Sequence, residues 1–108
     1  MKCYKRGDVV YVSLPDSTGS EQSGIRPCVI VQNDVGNVHS PTVIICPITS
    51  QSKPKLPTHV GIMLAVESTV LCEQIRVIDK RKIAGFVTNI NMEKINRALK
   101  ISIGLLED

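Results

Sequence analysis

The sequence predicts a mainly β fold, a small bent barrel of short strands with one C-terminal helix packed on it. Three observations predict it. Of the 108 residues, 43% are hydrophobic but only 3% aromatic, so Val, Ile and Leu must build the core, and β-branched residues favour strands. The apolar residues fall in short runs separated by polar segments that carry Gly or Pro. Only from Asn91 onward does their spacing change to three and four, the helical period.

Gly7-Asp8-Val9-Val10-Tyr11-Val12-Ser13-Leu14 reads as the first strand, stopped by Pro15, which lacks the N–H a ladder needs. Residues 15–26 read as a long polar loop. Residues 27–33 are a second strand, apolar enough to be covered on both faces. A polar connection over residues 34–41 is expected to turn at Gly36-Asn37. Thr42-Val43-Ile44-Ile45-Cys46-Pro47-Ile48 is a third buried strand, ending at Thr49-Ser50. Lys53-Pro54-Lys55-Leu56-Pro57 is incompatible with regular structure. Residues 58–64 and 68–72 give two further strands, the latter followed by Glu73-Gln74-Ile75-Arg76-Val77-Ile78. Asp79-Lys80-Arg81-Lys82 is a charged turn or a single helical turn, and residues 84–89 form a last short strand. Met92, Ile95, Leu99, Ile103 and Leu106 mark an amphipathic helix, with Asn91 as N-cap and Glu93 in its first turn. Ile101 interrupts that pattern and Gly104 weakens its end. With no repeat and no low-complexity linker, residues 1–108 read as one domain.

The net charge of +3 favours an anionic partner, yet it is far from the basic balance of a duplex-DNA binder. No apolar run approaches the ~20 residues of a membrane span. Met1-Lys2-Cys3-Tyr4-Lys5-Arg6 has no apolar stretch behind it, so a secretory leader is not expected and a cytoplasmic location is. Of the 4 cysteines, Cys28, Cys46 and Cys72 sit inside apolar runs, where a free thiol acts as a small hydrophobe. No C-x-x-C spacing occurs, and two distant histidines do not complete a zinc site. Free thiols agree with a reducing compartment.

A phosphate-binding Walker loop, a G-x-S-x-G elbow and paired histidines at helical spacing are all missing from the sequence, and its acidic residues are too scattered for an oxygen-rich metal site. Neither metal nor cofactor is called for. What remains is two polar loops at strand ends, one carrying Ser20, Glu21, Gln22 and Arg26, the other Thr49, Ser50 and Gln51. Gly19 and Gly24 bracket the first loop, and Pro27 fixes the backbone just after the arginine. A guanidinium held this way suits a phosphate or a developing oxyanion, although a loop arginine paired with a carboxylate fits the same residues. If the second and third strands are parallel neighbours, or lie across a barrel mouth, Arg26 and Thr49 face one phosphate. That pair suits a metal-free reaction in which the substrate brings its own nucleophile, as RNA does with its 2′-hydroxyl. Thr49 reads equally as the cap of a turn. His59 is placed for acid–base work near neutral pH or for a structural hydrogen bond, and His39 lies in a polar loop. Gln74 and Arg76 suit base edges or phosphates, and Arg76 equally suits an ion pair with Glu73 or Asp79.

Residues spread over nearly the whole chain carry a resemblance. They are Lys5-Arg6-Gly7-Asp8-Val9, Gly19-Ser20-Glu21-Gln22-Ser23-Gly24-Ile25-Arg26-Pro27, Val31-Gln32-Asn33-Asp34-Val35-Gly36-Asn37, Ser40-Pro41-Thr42-Val43-Ile44, Ile48-Thr49, Lys55-Leu56-Pro57-Thr58-His59-Val60 and Glu73-Gln74-Ile75-Arg76-Val77-Ile78-Asp79-Lys80. In this order they resemble the MazF/PemK-type toxins of bacterial toxin–antitoxin systems. The resemblance implies an SH3-like barrel of the PemK/MazF/CcdB type with a C-terminal helix, a homodimer, and sequence-selective, metal-independent cleavage of single-stranded RNA. It implies that Arg26 and Thr49 are the catalytic pair and that the products bear 2′,3′-cyclic phosphate and 5′-hydroxyl ends. It places Ser20, Glu21 and Gln22 in a substrate loop and Leu56, Pro57, His59 and Gln74 along the RNA groove, with an acidic MazE-like antitoxin as partner. Residues 62–67 are shorter and more apolar than the usual insertion at that point. Residues 50–55 are slightly shortened, and Asp16-Ser17-Thr18 lacks a bulky apolar residue. These departures bear on sequence preference and leave the pair untouched.

Tyr4, Tyr11 and Phe86 are the aromatics available, so base readout is expected from amides and backbone groups gripping unstacked bases rather than from stacking. Two other classes of function fit a barrel of this size. One is a non-catalytic binder, such as a CcdB-like topoisomerase poison or a decayed toxin regulating its own operon; the other is a structural barrel that binds an acidic peptide. Neither needs Arg26 and Thr49 together. The apolar 62–66 segment and the apolar helix face exceed what one small barrel buries, which points to an interface.

Overall fold

The β-branched runs become strands close to where the spacing puts them. The computed structural model describes residues 3–15 and 18–108, so the readings that rest on Met1-Lys2 and Asp16-Ser17 lie outside the described residues. Strands β1 (Asp8–Leu14), β2 (Gly24–Ile30), β3 (Thr42–Thr49), β4 (His59–Met63), β5 (Glu67–Leu71), β6 (Arg76–Asp79) and β7 (Ile83–Asn89) are joined by helix α1 (Asp34–His39) and followed by helix α2 (Glu93–Ser102). The sheet order is β4-β5-β3-β2-β1-β7, with β6 also paired to β3. Every pairing is antiparallel, and the sheet curls into a half-barrel. The second and third strands are therefore antiparallel neighbours, not parallel ones.

β3 belongs to both halves of the sheet. Its first residues, Thr42 to Ile45, pair with β6, and its last, Ile48 and Thr49, pair with β5. Side chains alternate faces along a strand, and here each face builds its own core. Val9, Val29, Cys46, Ile48, Val70 and Cys72 pack on one face, closed over by Ile95 and Ala98 of α2. Val10, Val12, Leu14, Cys28, Ile30, Val43, Ile45 and Ile78 fill the other. The three core cysteines are free and buried, while Cys3 is exposed. Burial pushes the Cys28 thiol up to about 12 and raises that of Cys46, where a hydrogen bond with Cys72 is the largest cause.

Three elements differ from the sequence reading. Arg26 lies in β2 rather than in the loop before it, and β6 is a strand of its own. The expected turn at Gly36-Asn37 is the helix α1, capped by the Asn33 side chain on the Gly36 N–H. Gly36 packs closely there: a Cβ would sit 3.1–3.2 Å from the Gln32 side chain, which would have to give by a few tenths of an ångström. Asn37 is buried and donates to Gln32 O (3.0 Å) and Asp34 Oδ1 (3.2 Å), while Gln32 Nε2 donates to Asn37 Oδ1 and Thr42 O.

The same corner absorbs the Lys5-Arg6-Gly7-Asp8 motif. Asp8 accepts from Lys5 N and Asn89 Nδ2, and Arg6 donates from Nε to Val31 O and from its backbone to Asp34. Gly7 holds φ +93 with a would-be Cβ 3.1 Å from Ile90 O, a place only glycine fills without strain. At the other end, the N-cap of α2 is Met92, which makes no side-chain cap bond, rather than the expected Asn91. Asn91, one residue earlier, still accepts from Glu93 N (2.9 Å), and Gly104, at φ 79, follows the last turn. Leu105 N donates back to Lys100 O, a C-terminal cap of the kind glycine permits. Among the described residues no helix is long and apolar enough to cross a membrane.

Candidate active site

A cleft opens where β2 and β3 part. Their ladder ends at Cys28↔Pro47. Upstream of Cys28, β2 stays with β1; beyond Pro47, β3 turns away to β5. Arg26 stands two residues before Cys28 and Thr49 two residues after Pro47, so the same register sets them opposite each other across the opening. The pleat puts both on the side of Cys28, Ile30, Val43 and Ile45. Arg76, which pairs with Ile45, falls on this side as well.

The loop over residues 18–23 arches across the cleft and is tied down from β2 and from the segment before β6. Gln74 uses both ends of its amide: Oε1 accepts from Gln22 N and Nε2 donates to Ser20 O, each at 3.1 Å. Arg76 Nη1 donates to Gln22 O (2.9 Å), and Arg26 Nε donates to the next carbonyl, Ser23 O (3.0 Å). Anchoring through Nε fixes the guanidinium plane of Arg26 and leaves its Nη edge for another partner. Both arginines rest on neutral carbonyls, so their charge is not cancelled.

Thr49 is 1% exposed, and its Oγ1 accepts from Gln51 N at 3.1 Å. The cap expected of a strand-end threonine is therefore present. It also orients the hydroxyl, whose own proton remains to be donated. Gln22 is 7% exposed, and its Oε1 is buried with no hydrogen-bond partner among the described residues. A buried acceptor left in this state costs about 1–3 kcal/mol.

The groove residues divide into two groups. Ser20, Glu21, Leu56 and Pro57 are exposed along the rim. His59 is tied on both ring nitrogens, Nδ1 to Pro54 O (2.8 Å) and Nε2 to Glu73 Oε2 (3.0 Å). It thereby bolts the loop carrying Leu56 and Pro57 to the Glu73-Gln74 segment. A hollow of ≈ 350 Å³ lined by Glu21, Glu73, Gln74, Ile75 and Arg76 lies against the loop. His39 ends α1, exposed and away from these residues. The expected ion pair of Arg76 with Glu73 or Asp79 does not form: Glu73 faces His59 and Asp79 faces Arg81. Glu73 as a strut was not foreseen. The alternation of Gln74 and Arg76 two apart, entering a strand, is the signal that sets both on one side.

The chain is thus a small β domain, an antiparallel half-barrel with an arginine opposite a hydroxyl at the parting of two strands. Residues 5–103 match the family described as PemK-like, MazF-like toxin of type II toxin–antitoxin system, and the chain belongs to that family. It is 45% identical over 112 residues to endoribonuclease EndoA of Bacillus subtilis (strain 168), covering 95% of this chain and 97% of that protein. It is 46% identical over 110 residues to endoribonuclease MazF of Staphylococcus saprophyticus, covering 94% and 92%. A mycobacterial endoribonuclease solved in complex with its cognate antitoxin shares the fold, with a TM-score of 0.79 at 24% identity over 97% of this chain and 99% of that one.

Proposed function

We propose that the chain is a toxin endoribonuclease that cleaves single-stranded RNA at preferred sequences without a metal ion, held in check by an antitoxin. The observation that carries this reading is the register that sets Arg26 opposite Thr49 where β2 leaves β3. In the reaction the RNA 2′-oxygen attacks the adjacent phosphorus and the 5′-oxygen of the next nucleotide departs. The products are a 2′,3′-cyclic phosphate and a 5′-hydroxyl. Charge grows on the non-bridging oxygens as the phosphorane forms, and the Nη edge of Arg26 stabilises it. The Thr49 hydroxyl, oriented by Gln51 N, donates to one of those oxygens. Ser20, Glu21, Gln22, Leu56, Pro57, His59 and Gln74 border the path of the RNA. With few aromatics present, recognition rests on amides and backbone groups of unstacked bases. The curated relatives are named endoribonucleases, which does not favour a topoisomerase-directed binder.

The antitoxin is an acidic segment. Its tail occupies the same groove as the RNA, bordered by Leu56, Pro57, His59 and Gln74. A second copy of the chain covers exposed apolar residues, of which Met63 (66%) and Val66 (57%) lie in the segment singled out from sequence.

The test is incubation with a long unstructured RNA in excess EDTA, beside Arg26→Ala, with the cut ends mapped. Site-selective cuts with 5′-hydroxyl ends are expected. Arg26→Ala should lose about 100- to 1,000-fold in rate, as deletion of one oxyanion donor does. Folded protein that cuts nothing, or an Arg26→Ala variant that cuts as fast, overturns the reading.

A further inference from the structure

We infer that Arg76 is the positioning residue for Arg26, acting through the loop that both arginines grip. The inference rests on the endoribonuclease reading above. Its basis is geometric. The two guanidiniums hold consecutive carbonyls, Gln22 O by Arg76 and Ser23 O by Arg26. Gln22 O and Ser23 O belong to adjacent peptide planes that share the Ser23 Cα, so displacement of the Gln22 peptide is transmitted through Ser23 to the carbonyl that anchors Arg26 Nε. The loop has no ladder of its own among the described residues, and Gln74, two residues from Arg76, ties it as well.

Arg76 is well placed for this work. It comes from β6, paired with Ile45 in the middle of β3, so its Cα belongs to the rigid sheet while its head reaches 54 residues back along the chain. Both guanidiniums lie close enough to the buried Cys28 thiol for their charge to act on it, Arg76 more than Arg26. Arg76 is bonded to a neutral carbonyl, not to a carboxylate, so it adds positive potential behind Arg26 without competing for the Nη edge that meets phosphate. Misplacing a reacting group by about 1 Å is enough to cost roughly 100-fold in rate.

The experiment compares Arg76→Met and Arg76→Lys in the full chain, each alone and in an Arg26→Ala background, with two readouts. The first is hydrogen exchange of the Arg26 Nε–H by nuclear magnetic resonance, on free protein. The second is single-turnover cleavage of RNA with KM measured at several salt concentrations. In Arg76→Met, Nε–H protection should fall at least about tenfold and kcat about 10- to 50-fold, with KM and its salt slope unchanged within about twofold. Arg76→Lys, which keeps one donor for Gln22 O, should recover part of both. In the Arg26→Ala background the same change should alter the rate less than about twofold, since residues acting as one unit are not additive.

Retained Nε–H protection in Arg76→Met overturns the inference. So do additive losses in the double variant. A raised KM with a shallower salt slope also overturns it, because Arg76 would then touch phosphate itself. If the unaltered protein cuts no RNA, the endoribonuclease reading falls, and the exchange measurement alone decides whether Arg76 positions Arg26.

Discussion

Two polar regions of this molecule are built from the same kinds of residue and finish in opposite states. In the corner formed by residues 5–8 and 31–37, arginine, aspartate, glutamine and asparagine close on one another. Asp8, Gln32 and Asn37 are buried, and each side chain is matched by donors or acceptors. In the cleft, glutamine and arginine hold a loop by its backbone while Gln22 Oε1 is left buried and unmatched. Both stretches lie within the residues 5–103 that match the family. What separates the two regions is whether the hydrogen-bonding capacity is consumed.

The largest stability effect should come from breaking the corner. Asn37→Ala removes the donors to Gln32 O and Asp34 and strips Gln32 Nε2 of one acceptor. Buried partners left unmatched should destabilise the protein by about 2–3 kcal/mol. Denaturant unfolding checks this, and the rate of RNA cleavage per folded molecule should stay within about twofold of the original. A variant of full stability, or one that stays folded but loses activity, would erase the distinction between the two regions.

The cleft should respond in the reverse sense. Gln22→Met keeps the shape of the side chain and deletes the unmatched oxygen, so stability should rise by up to about 1 kcal/mol. If the proposed substrate-loop role of Gln22 holds, RNA affinity should fall as well. A rise in stability together with weaker binding would mark the orphan oxygen as one kept for a ligand, the trade expected of functional sites. A fall in stability would mean that Gln22 belongs with the corner residues.

How far each region was legible follows from the same contrast. The strands were readable because their apolar runs and Pro or Gly stops are local signals, and α2 because its period is local as well, although its cap falls at Met92 rather than Asn91. Helix α1 was not readable. Asp34-Val35-Gly36-Asn37 has turn chemistry, and the helix is secured by buried bonds from Gln32 and by the close approach of Gly36 to that side chain. Arg26 and Thr49 were legible as residue types next to strand ends, yet the facing of one to the other depends on an antiparallel register that no local pattern states. His59 and Gln74 were read as groups lining a groove. That they also act as struts depends on contacts to Pro54, Glu73 and Ser20, and contacts between distant segments leave no periodicity. Arg76 shows the limit most clearly: nearby acids suggested an ion pair, and it bonds instead to a carbonyl 54 positions away.

The smallest effect separates the regions by pH. The Arg6 backbone N–H, then the Asn37 side chain, hold the Asp34 carboxyl below its ordinary 3.8. A depressed folded-state value means that the corner gains stability above about pH 4 and loses it as pH falls through the folded value. Asp79, brought to about 2 chiefly by the Arg81 side chain, titrates on the surface in the same direction. Melting temperature should therefore drop as pH falls from about 4 to about 2 in the unaltered protein, and Asp34→Asn should flatten part of that drop, leaving the share due to Asp79. Because Asp34 is exposed, the shift should be small and should shrink in high salt. An Asp34→Asn variant whose acid profile matches the original would mean that Asp34, the first residue of α1, is only a solvated charge. The corner would then be held by its amides alone, making Asn37 and Gln32 the whole of its polar framework.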